Sequence, residues 1–214
     1  MESKHVALKT LALAAAGVVG IEALARWAIG RWGLAPLIGT GLARLMDIAW
    51  MMLITSLPPP GWARIGLGRG SLQTGLRRGL IWSAAFGALA ALGWGALHAA
   101  GIDPLRLLYP GPVARPANLA LLFLAGGFIG PVAEEIFFRG VLFSALRNWG
   151  ATAAITGSTV IFAAAHAGAG FPIIQCIGGL VFAYANENSR SLAAPMVIHI
   201  LGNLAIYGIS MISG

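Results

Sequence analysis

Residues 117–147 read ANLALLFLAGGFIGPVAEEIFFRGVLFSALR. A helix rises about 1.5 Å per residue, so some 20 apolar residues cross the hydrocarbon core of a bilayer. This run exceeds that length, yet it carries Glu134, Glu135 and Arg139 near its middle. Gly130–Pro131 interrupts it, because proline lacks an amide and invites a kink, with helix resuming from Pro131. The stretch reads as a membrane-spanning helix with ionisable groups where lipid should exclude them.

The rest of the chain is of the same kind. Of its 214 residues, 58% are hydrophobic and 10% charged, against roughly 25% charged and 45–50% apolar in a soluble domain. The mean hydropathy of +0.82 agrees. Soluble globular, disordered and fibrous classes are excluded. Further apolar runs lie at about 6–29, 35–57, 79–101, 150–169, 171–187 and 191–212. The expected fold is therefore all-α: a polytopic membrane helix bundle of about seven transmembrane helices, forming one integral membrane domain over residues 1–214. Pro58–Pro59–Pro60 ends the second span. The following stretch, with Arg64, Arg69, Arg77 and Arg78 among Trp62, Ile65, Leu67 and Leu72, reads as a basic interfacial segment. Gly126, Gly130, Gly178 and Gly179 are small residues that let membrane helices approach closely.

Charge says little about nucleic acid. The net charge is +7, from 14 basic and 7 acidic residues, but the basic residues flank the spans instead of forming a stripe. They suit membrane lipid headgroups, and no nucleic-acid partner is expected. Cys176, the single cysteine, excludes an internal disulfide and reads as a packing residue. Residues 1–25 mimic a signal peptide, but Glu22 and Arg26 stand where a cleavage region should be, so a retained first helix is expected. With seven spans, Lys4, Lys9, Arg64, Arg69, Arg77, Arg78, Arg147 and Arg190 share one side, and Arg26, Arg31, Arg106 and Arg115 the other. That asymmetry predicts a multi-pass protein of the cell membrane with a cytoplasmic amino terminus.

An ionisable group inside a bilayer costs about 2.5–3.5 kcal/mol even on the lenient insertion scale. Glu22 has Arg26 four residues on, Asp47 has Arg44 three back, and Glu135 has Arg139 four on, so each has a partner on its own helix face. Mutual neutralisation is reason enough for Glu22–Arg26 and Arg44–Asp47. Glu134 has no basic residue three or four positions away. Spans four and five form a hairpin about the turn near Asn148–Gly150, which brings Glu134 and His166 to the same depth. Span seven adds His199 and Asn203, four apart and on one face.

Such a set supports hydrolysis. A glutamate in a low dielectric can serve as general base near neutral pH, and a neighbouring histidine can help hold and polarise water. An Asn amide and a second imidazole can donate to the oxyanion of a tetrahedral intermediate. No serine or cysteine occupies an obvious nucleophile setting, so direct attack by water is the economical route.

These residues also resemble a known family. Glu134-Glu135-Ile136-Phe137-Phe138-Arg139 is similar to its EExxxR motif, Phe162 to His166 to its FxxxH motif, and His199 to Asn203 to its HxxxN motif. Together they resemble the CPBP intramembrane proteases: CAAX prenyl proteases and bacteriocin-processing enzymes. The resemblance implies a catalytic core at about 117–205, in which Glu134 and His166 activate water and His199 and Asn203 form the oxyanion site. It implies Glu135 and Arg139 as a supporting ion pair. It also implies a membrane-associated peptide or protein substrate, whether a prenylated tail, a leader peptide or a C-terminal sorting peptide. The favoured mechanism requires no metal cofactor. In the alternative, Zn would be held by Glu134, His166 and His199 with water in the fourth place. Two other classes remain open: a proton-coupled membrane transporter, which would favour repeated halves and broken helices that the sequence does not display, and a non-catalytic membrane scaffold.

Overall fold

The computed structural model describes residues 5–57, 61–104, 118–168 and 172–212, and within these local chemistry punctuates the chain into seven helices. The first, α1 (Leu8–Trp32), stops at Gly33, whose positive φ of 64° lets its N–H cap the Ile29 carbonyl. Pro36 then opens α2 (Pro36–Ser56) at a position where no amide is needed. A short 3₁₀ turn at Gly61–Ile65 leads into α3 (Arg69–Ala99). The fourth helical segment, α4 (Leu119–Trp149), ends before Gly150, and α5 (Ala151–Ala165) begins directly after it. α6 (Ile173–Ser189) ends on Arg190, itself left-handed at φ 53°, and α7 (Ala193–Ile212) follows.

The all-α membrane bundle expected from the sequence is what forms, and no strand occurs among the described residues. Seven helices match the expected number among the described residues. Among the described residues, five of them (α1, α2, α4, α7, and α3 with its preceding turn) are long and apolar enough to cross a membrane. At 15 and 17 residues, α5 and α6 fall short. The basic segment also differs from the expected interfacial stretch. Helix α3 begins at Arg69, ten residues before the anticipated start, so Arg69, Arg77 and Arg78 belong to the helix itself. Only Gly61–Ile65 remains as a short turn of its own. Lys4, Pro58–Pro59–Pro60, Arg106 and Arg115 lie outside the described residues.

Contacts near one end of the bundle involve Arg64, Arg78 and Arg147. Arg78 donates to the Asn188 carbonyl, and Arg147 pairs with Glu187 at 2.7 Å. Nearby, the Val6 amide donates to Ser144 Oγ at 3.0 Å, and that hydroxyl donates to the Arg64 carbonyl at 3.0 Å. The amino-terminal segment and the segment around residue 64 are thereby tied to the end of α4.

Helix α4 departs from regular α geometry twice. Wide π turns occupy Leu122–Ile129 and Ile136–Leu142, with Gly130–Glu135 as one α turn between them. Pro131 helps explain the first. The Gly130 N–H reaches back to the Ala125 carbonyl and the proline has no N–H to give, so the Gly126 carbonyl needs a donor from elsewhere. Asn203 of α7 supplies it at 3.1 Å. The expected kink is thus a change of helical register, and single π turns inside helices often accompany functional sites.

Candidate active site

The two adjacent glutamates leave α4 in different directions. Glu135 enters the core, where it is fully buried with Arg139. Arg139 Nη1 lies 3.3 Å from Glu135 Oε1, and Nη2 donates to the Gly179 carbonyl of α6 at 3.2 Å. Three aromatic rings enclose the guanidinium, with its carbon 4.4 Å from the Phe162 centroid, 5.2 Å from Phe182 and 5.8 Å from Phe138. Cation–π attraction and an ion pair together offset the cost of burying this charge. Gly179 permits the approach: a Cβ there would stand 3.0 Å from Thr159 Cγ2 and 3.5 Å from Arg139 Nη2.

The same Glu135 oxygen meets His199 Nδ1 at 2.7 Å, a shorter contact than the Arg139 pair. An ionised carboxylate only accepts, so His199 donates from Nδ1 and turns Nε2 away. Its ring is stacked on Phe182 at 4.7 Å and 19°. Glu135 and Arg139 do pair, and His199 meets the same carboxylate oxygen.

Glu134 faces a more open space, its side chain 16% exposed. His166, at the end of α5, donates from Nδ1 to the Phe162 carbonyl at 2.8 Å. Its Nε2 then lies 3.6 Å from Glu134 Oε2, and His199 Nε2 lies 3.8 Å from the same oxygen. The hairpin of α4 and α5 therefore places the two groups at one depth, as the residue count to the turn anticipates. With both Nδ1 atoms committed as donors, two imidazole lone pairs and a carboxylate oxygen converge. Such an arrangement needs hydrogen among its members, from a water or a protonated ring.

Asn203 lies one turn beyond His199 on α7. One amide proton goes to the Gly126 carbonyl, which leaves the second free of that bond. Among the described residues, no group of three or more His, Cys, Asp or Glu side chains is arranged to hold a metal ion.

Sequence reasoning missed the role of Arg44 at the site. Arg44 of α2 brings Nη2 to 4.0 Å from Glu134 Oε1, so Glu134 has a cationic neighbour on another helix. The Glu22–Arg26 and Arg44–Asp47 pairs do form, at 3.7 Å and 3.4 Å, but Arg44 also reaches Glu22 at 3.1 Å. Spacing along one helix reveals the local pairs and is blind to the contacts between helices. Phe182 and the Gly179 carbonyl were also missed; the Gly178–Gly179 step within an apolar run was their only trace.

Residues 116–205 match a family described as type II CAAX prenyl endopeptidase Rce1-like. This segment is therefore similar to the CAAX-protease branch of the CPBP intramembrane proteases. The matched segment contains Glu134, Glu135, Arg139, His166, His199 and Asn203, whereas α1 to α3 lie outside it. The chain is also similar to the membrane-embedded CAAX protease MroQ of Staphylococcus aureus (strain USA300), 35% identical over 98 residues. That likeness covers 42% of this chain and 39% of the relative, so the chain spans about two fifths of the relative's length. No solved structure gives a significant match.

Proposed function

We propose that the protein is an integral membrane endopeptidase, with residues 1–214 as one membrane domain and a catalytic core at about 117–205. It cleaves a peptide bond in a membrane-associated peptide or protein, including lipidated ones, using water activated by Glu134 and His166. The observation that carries this reading is the convergence of His166 Nε2 and His199 Nε2 on one oxygen of Glu134, at 3.6 and 3.8 Å.

A water held there gives a proton to Glu134 while its oxygen bonds to the substrate carbonyl carbon. The carbonyl electron pair moves onto oxygen. The second amide proton of Asn203 donates to that oxyanion, and His199, its Nδ1–H held by Glu135, adds a second donor from Nε2 when that nitrogen carries a proton. Collapse re-forms the carbonyl and breaks the C–N bond, and the leaving amine takes the proton from Glu134. No metal takes part in any step. The basic end of the bundle faces the cytoplasm, and the amino terminus lies on that side of the cell membrane.

Quenched peptides tethered to a membrane, incubated with purified protein and with Glu134→Ala, test this reading. Cleavage by the parent alone is expected, and it should persist after exhaustive chelation. Absence of cleavage from both proteins overturns the enzyme. Loss on chelation with recovery on stoichiometric zinc overturns the metal-free mechanism.

A further inference from the structure

Arg44 lies outside the segment shared with the family, yet it is the cation of α2 that meets the proposed base. Mutual neutralisation requires one acid per base. Arg44 instead meets three carboxylates, from α1, α2 and α4. Its Nη1 lies 3.1 Å from Glu22 Oε1 and 3.4 Å from Asp47 Oδ2, while its Nη2 points to Glu134 Oε1 at 4.0 Å. Arg26, the other cation at Glu22, has a side chain 70% exposed and makes a looser contact of 3.7 Å. Asp47 is buried, and its Oδ1 has no hydrogen-bond partner among the described residues. Asp47 therefore depends on Arg44 and holds it in turn.

This arrangement divides the two oxygens of Glu134. Oε1 faces Arg44, and Oε2 faces His166 and His199. The terminal torsion of a glutamate is broad, so the plane of its carboxylate wanders unless a partner fixes it. A planar guanidinium, anchored at one nitrogen and presenting the other, does so in a way an ammonium cannot. We propose that Arg44, mounted by Glu22 and Asp47, is a positioning residue for Glu134: it faces one carboxylate oxygen and so keeps the other turned toward His166, His199 and the water it exchanges protons with. The proposal rests on the endopeptidase reading for its catalytic consequence, but the contact it requires can be measured separately.

The test uses the full chain in lipid nanodiscs, as parent, Arg44→Gln, Arg44→Lys, Glu134→Gln, and Arg44→Gln combined with Glu134→Gln. On a tethered peptide, Arg44→Gln should lower kcat by about 10²-fold, the scale of a 1 Å misplacement. KM should stay within about two-fold, because the loss is not one of substrate binding. Arg44→Lys, which keeps the charge without the fork, should be intermediate, and it serves as the comparison if Arg44→Gln does not accumulate. In thermal unfolding, the fall in Tm caused by Arg44→Gln should shrink in the Glu134→Gln background, where one carboxylate facing the vacated site is gone. A raised KM with unchanged kcat would make Arg44 a substrate contact and overturn the proposal. So would an equal fall in Tm in both backgrounds. If the parent cleaves nothing, the endopeptidase reading fails, while the Tm comparison still decides whether Arg44 senses Glu134.

Discussion

Glu134 and Glu135 are neighbours in the chain and opposites in surroundings. The Glu135 side chain is fully excluded from solvent, and one of its oxygens takes contacts from Arg139 at 3.3 Å and His199 at 2.7 Å. The Glu134 side chain is 16% exposed, and its polar neighbours from three other helices stand back at 3.6 to 4.0 Å. A closed network of short contacts holds a structure together. A ring of groups just beyond hydrogen-bond distance leaves room for rearrangement and for a reacting molecule. Consecutive positions on a helix diverge by about 100°, given 3.6 residues per turn, so one motif can supply both environments.

The largest expected effect outside the glutamates falls on the open side. His166→Ala should lower the cleavage rate by about 10²–10⁴-fold, the usual contribution of a positioned acid–base group. Its Tm should stay near the parent's, because the side chain is 31% exposed and its own support is the Phe162 carbonyl. A large fall in Tm would place His166 with the structural network instead. On the closed side, Arg139→Met should cost about 3–5 kcal/mol of stability, since Glu135 would stay buried without its cation. Chemical denaturation of the purified variant measures this, and a loss below about 1 kcal/mol would show that the clamp does not hold the core. The smallest effect belongs to Arg26→Ala. That pair with Glu22 is 3.7 Å long and its arginine largely exposed, so a change of about 0–1 kcal/mol is expected.

Much of this division could be read before any coordinates. Apolar run length identified the helices, although Arg77 and Arg78 disguised the start of α3, which carries its arginines on the helix. The equal distances of Glu134 and His166 from the Gly150 turn were enough to bring them together, because an antiparallel hairpin converts sequence distance into depth. His199 and Asn203 followed from a spacing of four. The contact of His199 with Glu135 and that of Arg44 with Glu134 were not legible. Both depend on how separate helices rotate against one another, which no single-helix periodicity records. The π turns in α4 were foreshadowed only as a kink at Pro131.

The most direct measurement of the division takes Glu134→Gln and Glu135→Gln side by side, reading peptide cleavage and Tm on each. Glu134→Gln should keep its Tm within a few degrees of the parent and lose cleavage by at least about 10²-fold. Glu135→Gln should lose Tm as well as activity, because Arg139 is left buried without its counter-ion and His199 without its ionised acceptor. A Glu134→Gln protein that still cleaves, or a Glu135→Gln protein that melts with the parent, would contradict the assignment of chemistry to one glutamate and structure to the other.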